Sequence, residues 1–205
     1  MAQPTVRGDD PRFQLEPASA RAQWLLFALV VVLPMVLVQV LPGASRDAAR
    51  PLAALAKGDA ALVKLYAALV VLAVLGGIFV LLWLMMRRHR LAMDEAGLAV
   101  TTSFYKRRLL WPELRLDDAR VVSLGEHPEH RPALKSNGYA MPGYRSGWFR
   151  TRKPAKALVA TAGGDRVLWV PTTLGYDLLL QPRNPQATLQ RMRELAAVAP
   201  VPVRR

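Results

Sequence analysis

"LYAALVVLAVLGGIFVLLWLMM", Leu65 to Met86, runs for 22 residues without a charge. As a helix rising 1.5 Å per residue it reaches about 33 Å, enough for a hydrocarbon core of about 30 Å. A second run, "WLLFALVVVLPMVLVQVL", Trp24 to Leu41, has 18 uncharged residues. It reaches about 27 Å, near the lower limit for a span. Its interior Pro34 predicts a kink, which membrane helices tolerate better than soluble ones. Both runs exceed what a small soluble core needs, so the expectation is a two-helix transmembrane hairpin. A cleaved signal peptide is the competing reading of the first run, since "LPGAS" after it could pass for a cleavage site. The late start, the length of the run and the acidic Asp9–Asp10 pair before it argue for a span instead.

The rest of the composition narrows the function classes. The chain has 205 residues and a net charge of +13. It contains no cysteine, which excludes disulfides, thiolate metal sites and a cysteine nucleophile. Orientation follows from the cations near the helix ends. Arg7, Arg12 and Arg21 precede the first run, and Arg87, Arg88 and Arg90 follow the second. Arg46, Arg50 and Lys57 lie between them. This asymmetry predicts both termini on the cytoplasmic side of a bacterial inner membrane. The expected organisation is an N-terminal segment at 1–21, spans at 22–41 and 62–86, and an external loop at 42–61. A cytoplasmic domain at 87–199 and a flexible tail at 200–205 complete it.

From Arg87 onward the chain holds 21 Lys and Arg against 10 Asp and Glu. Here the pattern favours short strands. "RLAM" and "LAVTT" flank the turn signal Asp94–Gly97, "RRLLW" runs into Pro112, and "VVSL" follows. "KALVAT" and "RVLWV" flank Gly163–Gly164, which reads as a hairpin. "YDLLLQ" reads as one more strand. In "PRNPQATLQRMRELAAV", Asn184 is a favoured N-cap and Pro185 suits the first helical position. Leu189, Met192 and Ala196 then form one apolar face. The predicted class is α+β: the membrane hairpin, then a small antiparallel barrel capped by a C-terminal helix.

Strands closed by a single terminal helix are the order of a pleckstrin-homology-like (PH-like) barrel. "YKRRLLWPELRL", with Trp111 and Pro112, resembles a segment common in bacterial membrane-tethered PH-like domains. "YAMPGYRSGWFR", "VLWVPT" and "YDLLLQPRNPQATLQRM" together resemble the C-terminal half of one such family. Gly143, Tyr144, Gly147, Phe149, Asn184 and Pro185 carry that likeness, which covers about residues 90–197. It implies a barrel beside the membrane with no established enzymatic activity and no agreed binding residues. The basic signature that eukaryotic PH domains use for phosphoinositides has no clear counterpart.

"GYRSGWFRTRKPAK", Gly143 to Lys156, carries three aromatics and five cations. No acidic residue occurs between His130 and Asp165. Tyr144, Trp148 and Phe149 are expected to pack on the domain, with the cations projecting from a loop. Arg145, Arg150, Arg152, Lys153 and Lys156, with Arg87, Arg88 and Arg90, are the candidate lipid- or partner-facing residues. A merely solvated basic face, anionic head groups of the bilayer and an acidic protein partner stay open. Nucleic acid ranks last, because the aromatics are not evenly spaced along a groove. His127 and His130 sit beside Glu126 and Glu129, a set that could ligate zinc, yet Pro128 puts them in a polar loop. Ser103, Ser123, Ser136 and Ser146 lack nucleophile-elbow context. The expectation is a non-catalytic anchored interaction or scaffold module without metal or cofactor. The alternatives are an accessory subunit acting through its helices and a metal-dependent domain. Ala73 and Gly77 form a small-xxx-small pair suited to close helix approach, within the chain or in a homo-oligomer.

Overall fold

The structure, a computed structural model, describes residues 13–40 and 60–199. The expected tail at 200–205 and residues 42–59 of the expected external loop lie outside the described residues. The chain divides into two compact units, Ala20–Met85 and a second unit of Met1–Ser19 with Met86–Arg205.

The first unit is helical. Helix α1 (Ala20–Phe27) continues through a π-helical stretch (Ala28–Val32) into α2 (Leu33–Val40). Pro34 accounts for the wide turn. Its ring would clash with the carbonyl four residues back, at Val30, and it donates no hydrogen bond. The ladder loosens just before it, and the Leu33 N–H bonds the Ala28 carbonyl five residues back. Helix α3 (Ala60–Met86) packs against α1: the Phe27 and Phe79 rings meet edge-on at 5.5 Å, and Trp83 Nε1 donates to Gln23 Oε1 at 3.3 Å. Both helices are long and apolar enough to span a membrane, and large apolar side chains along α3, from Leu65 to Leu84, are exposed. A Cβ added at Gly76 or Gly77 would meet nothing within 4 Å, and Ala73 is exposed. Among the described residues, nothing packs on Gly76 or Gly77.

The second unit is a β-domain with two sheets. Strands β1 (Arg90–Met93), β2 (Gly97–Thr101) and β3 (Lys106–Leu110) form an antiparallel three-stranded sheet. The Asp94 side chain builds the β1–β2 turn by accepting from the Ala96 and Gly97 N–H groups. Strands β4 (Arg120–Ser123), β5 (Pro132–Met141), β6 (Tyr144–Thr151), β7 (Lys156–Thr161), β8 (Arg166–Pro171) and β9 (Asp177–Leu180) form a second sheet. Its order is β4-β8-β9-β7-β6-β5. Both sheets are open among the described residues, so the α+β class holds while the barrel expected from sequence is not closed by any ladder.

Two further expectations change. The Gly163–Gly164 stretch does not join a hairpin, because β9 lies between β7 and β8, parallel to the first and antiparallel to the second. The loop arches over the end of β9, and Gln181 Oε1 accepts from the Ala162 and Gly164 N–H groups at 2.9 and 3.1 Å. Gly163 has φ +91°, and a Cβ there would lie 2.6 Å from Gly143 Cα, so glycine is required by both conformation and space. Most of the basic segment is strand, and only Arg152 to Ala155 form a turn. Tyr144–Thr151 is strand β6, paired on both sides, with β5 as the edge strand beyond it.

Consecutive strand residues point to opposite faces. Trp148 accordingly joins one core with Leu158, Leu168, Leu178, Leu189 and Met192, while Phe149 joins a smaller core with Val122, Val159 and Leu179 on the other face. Helix α4 (Pro185–Val198) closes the larger core through Leu189 and Met192. The N-terminal segment belongs to this domain. Leu15 is buried and bridges Pro182, the Glu16 N–H bonds the Gln181 carbonyl at 2.9 Å, and the Arg183 N–H bonds the Gln14 carbonyl at 3.0 Å.

Candidate functional site

The six-stranded sheet has two unlike ends. At one, β6 begins while β7 and β9 finish, and the chain links to the helices gather there. The turn Pro142–Gly143, with φ +78° at Gly143, has the Pro-then-Gly order of a type II turn and delivers Tyr144 into the interior. The Tyr144 hydroxyl lies 3.2 Å from the Met86 carbonyl, 2.9 Å from His89 Nε2 and 2.7 Å from Ser103 Oγ. Its ring stacks on His89 at 4.7 Å. Ser146 Oγ accepts from the Ser103 N–H at 3.0 Å.

One arrangement of protons satisfies this cluster. The hydroxyl has one proton, which suits the Met86 carbonyl, an acceptor only. His89 Nε2–H and Ser103 Oγ–H then donate to the Tyr144 oxygen. That leaves His89 Nδ1 as a bare lone pair, and it is the buried atom without a partner. Charging His89 would place a proton there with no acceptor. Burial accordingly pushes its pKa from 6.5 down to about 4, and burial pushes Tyr144 up to about 12. The cluster is neutral near pH 7 and shut off from water, so it joins the chain beyond Met86 to β2, β3 and β6.

The other end carries the cations. Arg150 is exposed near the end of β6, and Arg152 and Lys153 are exposed in the β6–β7 turn. Thr151 holds that turn by donating to the Lys153 carbonyl. Arg150 stands opposite Lys156 in the ladder, a like-charge pair. Lys156 is drawn over the Trp148 ring at 4.5 Å, with Arg107 over the same ring at 5.7 Å. Tyr105 and Tyr176 meet that ring edge-on at 6.2 and 5.0 Å. A cation over an aromatic face is worth about 0.5–1 kcal/mol at exposed sites. No ion pair engages Arg150, Arg152 or Lys153 among the described residues.

Comparison with protein-family profiles, curated proteins and solved structures found no match for the chain. The site therefore rests on its own geometry.

The structure divides the candidates that sequence grouped together. Arg87, Arg88 and Arg90 are exposed near the Tyr144 cluster, on the short stretch that also holds His89. Arg145 is half-buried beside Tyr144. Arg150, Arg152, Lys153 and Lys156 cluster about six residues further along β6, roughly 20 Å away at strand rise. Trp111 and Pro112 form a 3-10 turn with Glu113. Trp111 Nε1 donates to the Asp94 carbonyl at 3.2 Å and Glu113 accepts from the Leu110 N–H at 2.8 Å. Gly147 faces Gly138 across the ladder, where a Cβ would lie 2.7 Å from Gly138 Cα. Asn184 caps α4 by accepting from the Ala187 N–H at 3.1 Å, with Pro185 first in the helix.

His127 and His130 both approach Glu129, at 3.1 and 3.8 Å. The His130 ring packs on Trp169 at 4.6 Å, and burial is the main cause lowering its pKa. Among the described residues no three such side chains come together as a metal-binding group. Sequence reading missed His89, which stood hidden among arginines, and Ser103 and Ser146, which looked idle without a nucleophile motif.

Proposed function

We propose that this chain is a membrane-anchored, non-catalytic interaction module of the bacterial inner membrane, with a PH-like β-domain on the cytoplasmic side. The reading rests on one observation. Glu16 and Met86, from which the chain runs on to the two apolar helices, both join the β-domain at the end of the six-stranded sheet where Tyr144 and Gln181 lie. The exposed cations Arg150, Arg152 and Lys153 lie at the other end. A bilayer's surface field decays within a Debye length, about 8 Å at physiological salt. We read the cations roughly 20 Å along the sheet from the links as lying beyond that field and as ligands for an acidic protein surface. The strands followed by a helix on the open sheet are the basis for the PH-like comparison.

Polyglutamate serves as the probe of this cationic end. The full chain in nanodiscs of zwitterionic lipid should bind it, more weakly as salt rises. Arg150→Glu with Lys153→Glu should lower the affinity at least tenfold. Binding unmoved by that double reversal would reject the assignment. An accessory subunit working through its helices is a second reading, favoured by the open face at Ala73, Gly76 and Gly77.

A further inference from the structure

We propose that the β2–β3 turn, residues 102–105, is a bilayer-docking tip: Phe104 inserts at the lipid interface and Arg88, Arg90 and Lys106 meet anionic head groups. The inference rests on the reading that the apolar helices span a membrane. It assigns lipid contact to residues other than the cationic turn at the far end of the sheet.

Phe104 is 48% exposed, a large apolar side chain held outward by a tight turn. In that turn the Thr102 N–H bonds the Tyr105 carbonyl at 2.7 Å, and Thr102 Oγ1 accepts from the Tyr105 N–H at 3.1 Å. The turn is pinned in place by its neighbour. Ser103 bonds the Tyr144 hydroxyl, which in turn bonds the carbonyl of Met86, the last residue of α3. Two hydrogen bonds thus separate the residue beside Phe104 from the end of a 22-residue apolar run.

Among the described residues, the charges at this end of the three-stranded sheet have one sign. Arg90, Thr101 and Lys106 stand in one row across β1, β2 and β3, and residues directly opposite share a face. Arg88 is exposed two residues before Arg90. The acidic groups of this sheet, Asp94 and Glu95, occupy the β1–β2 turn at its opposite end, where Asp94 pairs with Arg108 at 2.6 Å. Five residues of β2 separate the two ends, roughly 16 Å. An exposed aromatic beside cations that no described residue pairs matches an anionic interface, where the ring enters the acyl boundary and the cations meet head groups. An acidic protein surface would match the cations but leave Phe104 in water.

The absence of cysteine makes the test direct, because one introduced thiol carries one label. Phe104→Cys and Glu95→Cys variants of the full chain each take a solvatochromic dye. They are reconstituted into vesicles of phosphatidylcholine with phosphatidylglycerol, and spin-labelled lipids act as quenchers. Quenching at 104 should be several-fold greater than at 95, and should fall when phosphatidylglycerol is left out or when Arg90→Glu and Lys106→Glu are added. In a second arm the dye sits at Thr101→Cys, and Phe104→Ser should reduce quenching relative to the same label with Phe104 in place. A chain that alkaline extraction removes from the vesicles overturns this inference and the preceding reading together. An integrated chain quenched no more at 104 than at 95, or unchanged at 101 by Phe104→Ser, overturns the docking tip alone.

Discussion

At the scale of single residues, Tyr144 and His89 explain how the stretch just after the second apolar run becomes part of a folded domain. Tyr144→Phe would keep the ring and remove the one group that the Met86 carbonyl, His89 and Ser103 share. Leaving buried partners unsatisfied costs about 1–3 kcal/mol. His89 adds a dependence on pH. Its folded pKa of about 4 lies below the ordinary 6.5, so between those values the unfolded chain binds a proton that the folded one refuses. Stability is fully present above about pH 6.5, declines as pH falls, and levels off below about pH 4. The fall from 6.5 to about 4 corresponds to roughly 3 kcal/mol. Denaturant titrations of the full chain in detergent should show this slope, and a His89→Phe variant should lose it. Equal pH profiles for the two proteins would mean that His89 is not desolvated.

At the scale of elements, helix α4 was the most legible part of the sequence. Asn184, Pro185 and the spacing of Leu189 and Met192 are local signals, and each side chain does locally what its type favours. Leu189→Ala should cost about 2–5 kcal/mol, because it opens a cavity in the larger core. Asn184→Ala should cost about 0.5–2 kcal/mol, because one N–H of the first turn loses its acceptor. Thermal melts that rank the two the other way would show that the helix does not close the core. Strands were less legible where the partner decides. The edge strand β5, "PALKSNGYAM", lacks apolar alternation, has register shifts around Leu134 and Lys135, and is mostly exposed. It is a strand because β6 supplies the ladder. The Gly163–Gly164 loop carried a hairpin signal that local sequence could not correct, because insertion of β9 is a long-range event.

At the scale of the whole molecule, the N-terminal segment and the β-domain are one folded body. Leu15 is buried in its core, and the flanking hydrogen bonds tie residues 14 and 16 to residues 183 and 181. A chain whose N-terminal segment is packed on its C-terminal domain must keep both on the same side of any bilayer that the helices cross. With the cation asymmetry at the helix ends, that side should be the cytoplasm. In intact cells a membrane-impermeant maleimide should label a cysteine placed at Ala49, between the two helices. It should label one at Ser136, on exposed β5, after lysis and not before. Labelling of Ser136→Cys in intact cells would overturn the topology.

The sequence by itself determined the two apolar helices, the strand-rich basic second half, an irregularity in the helix beside Pro34 and the capped terminal helix. These depend on run length, net charge and residue types acting over a few positions. Tertiary structure alone decided that β9 separates β7 from β8, that Leu15 belongs to the β-domain core, and that Trp148 and Phe149 serve different cores. It also decided that the candidate cations split into two groups at opposite ends of a sheet. The physical reason is common to all four. Strand order, docking of the N-terminal segment and end-to-end placement arise from hydrogen bonds and apolar contacts between segments far apart in the chain, such as Gln14 with Arg183 and Glu16 with Gln181, and no local pattern encodes such a pairing.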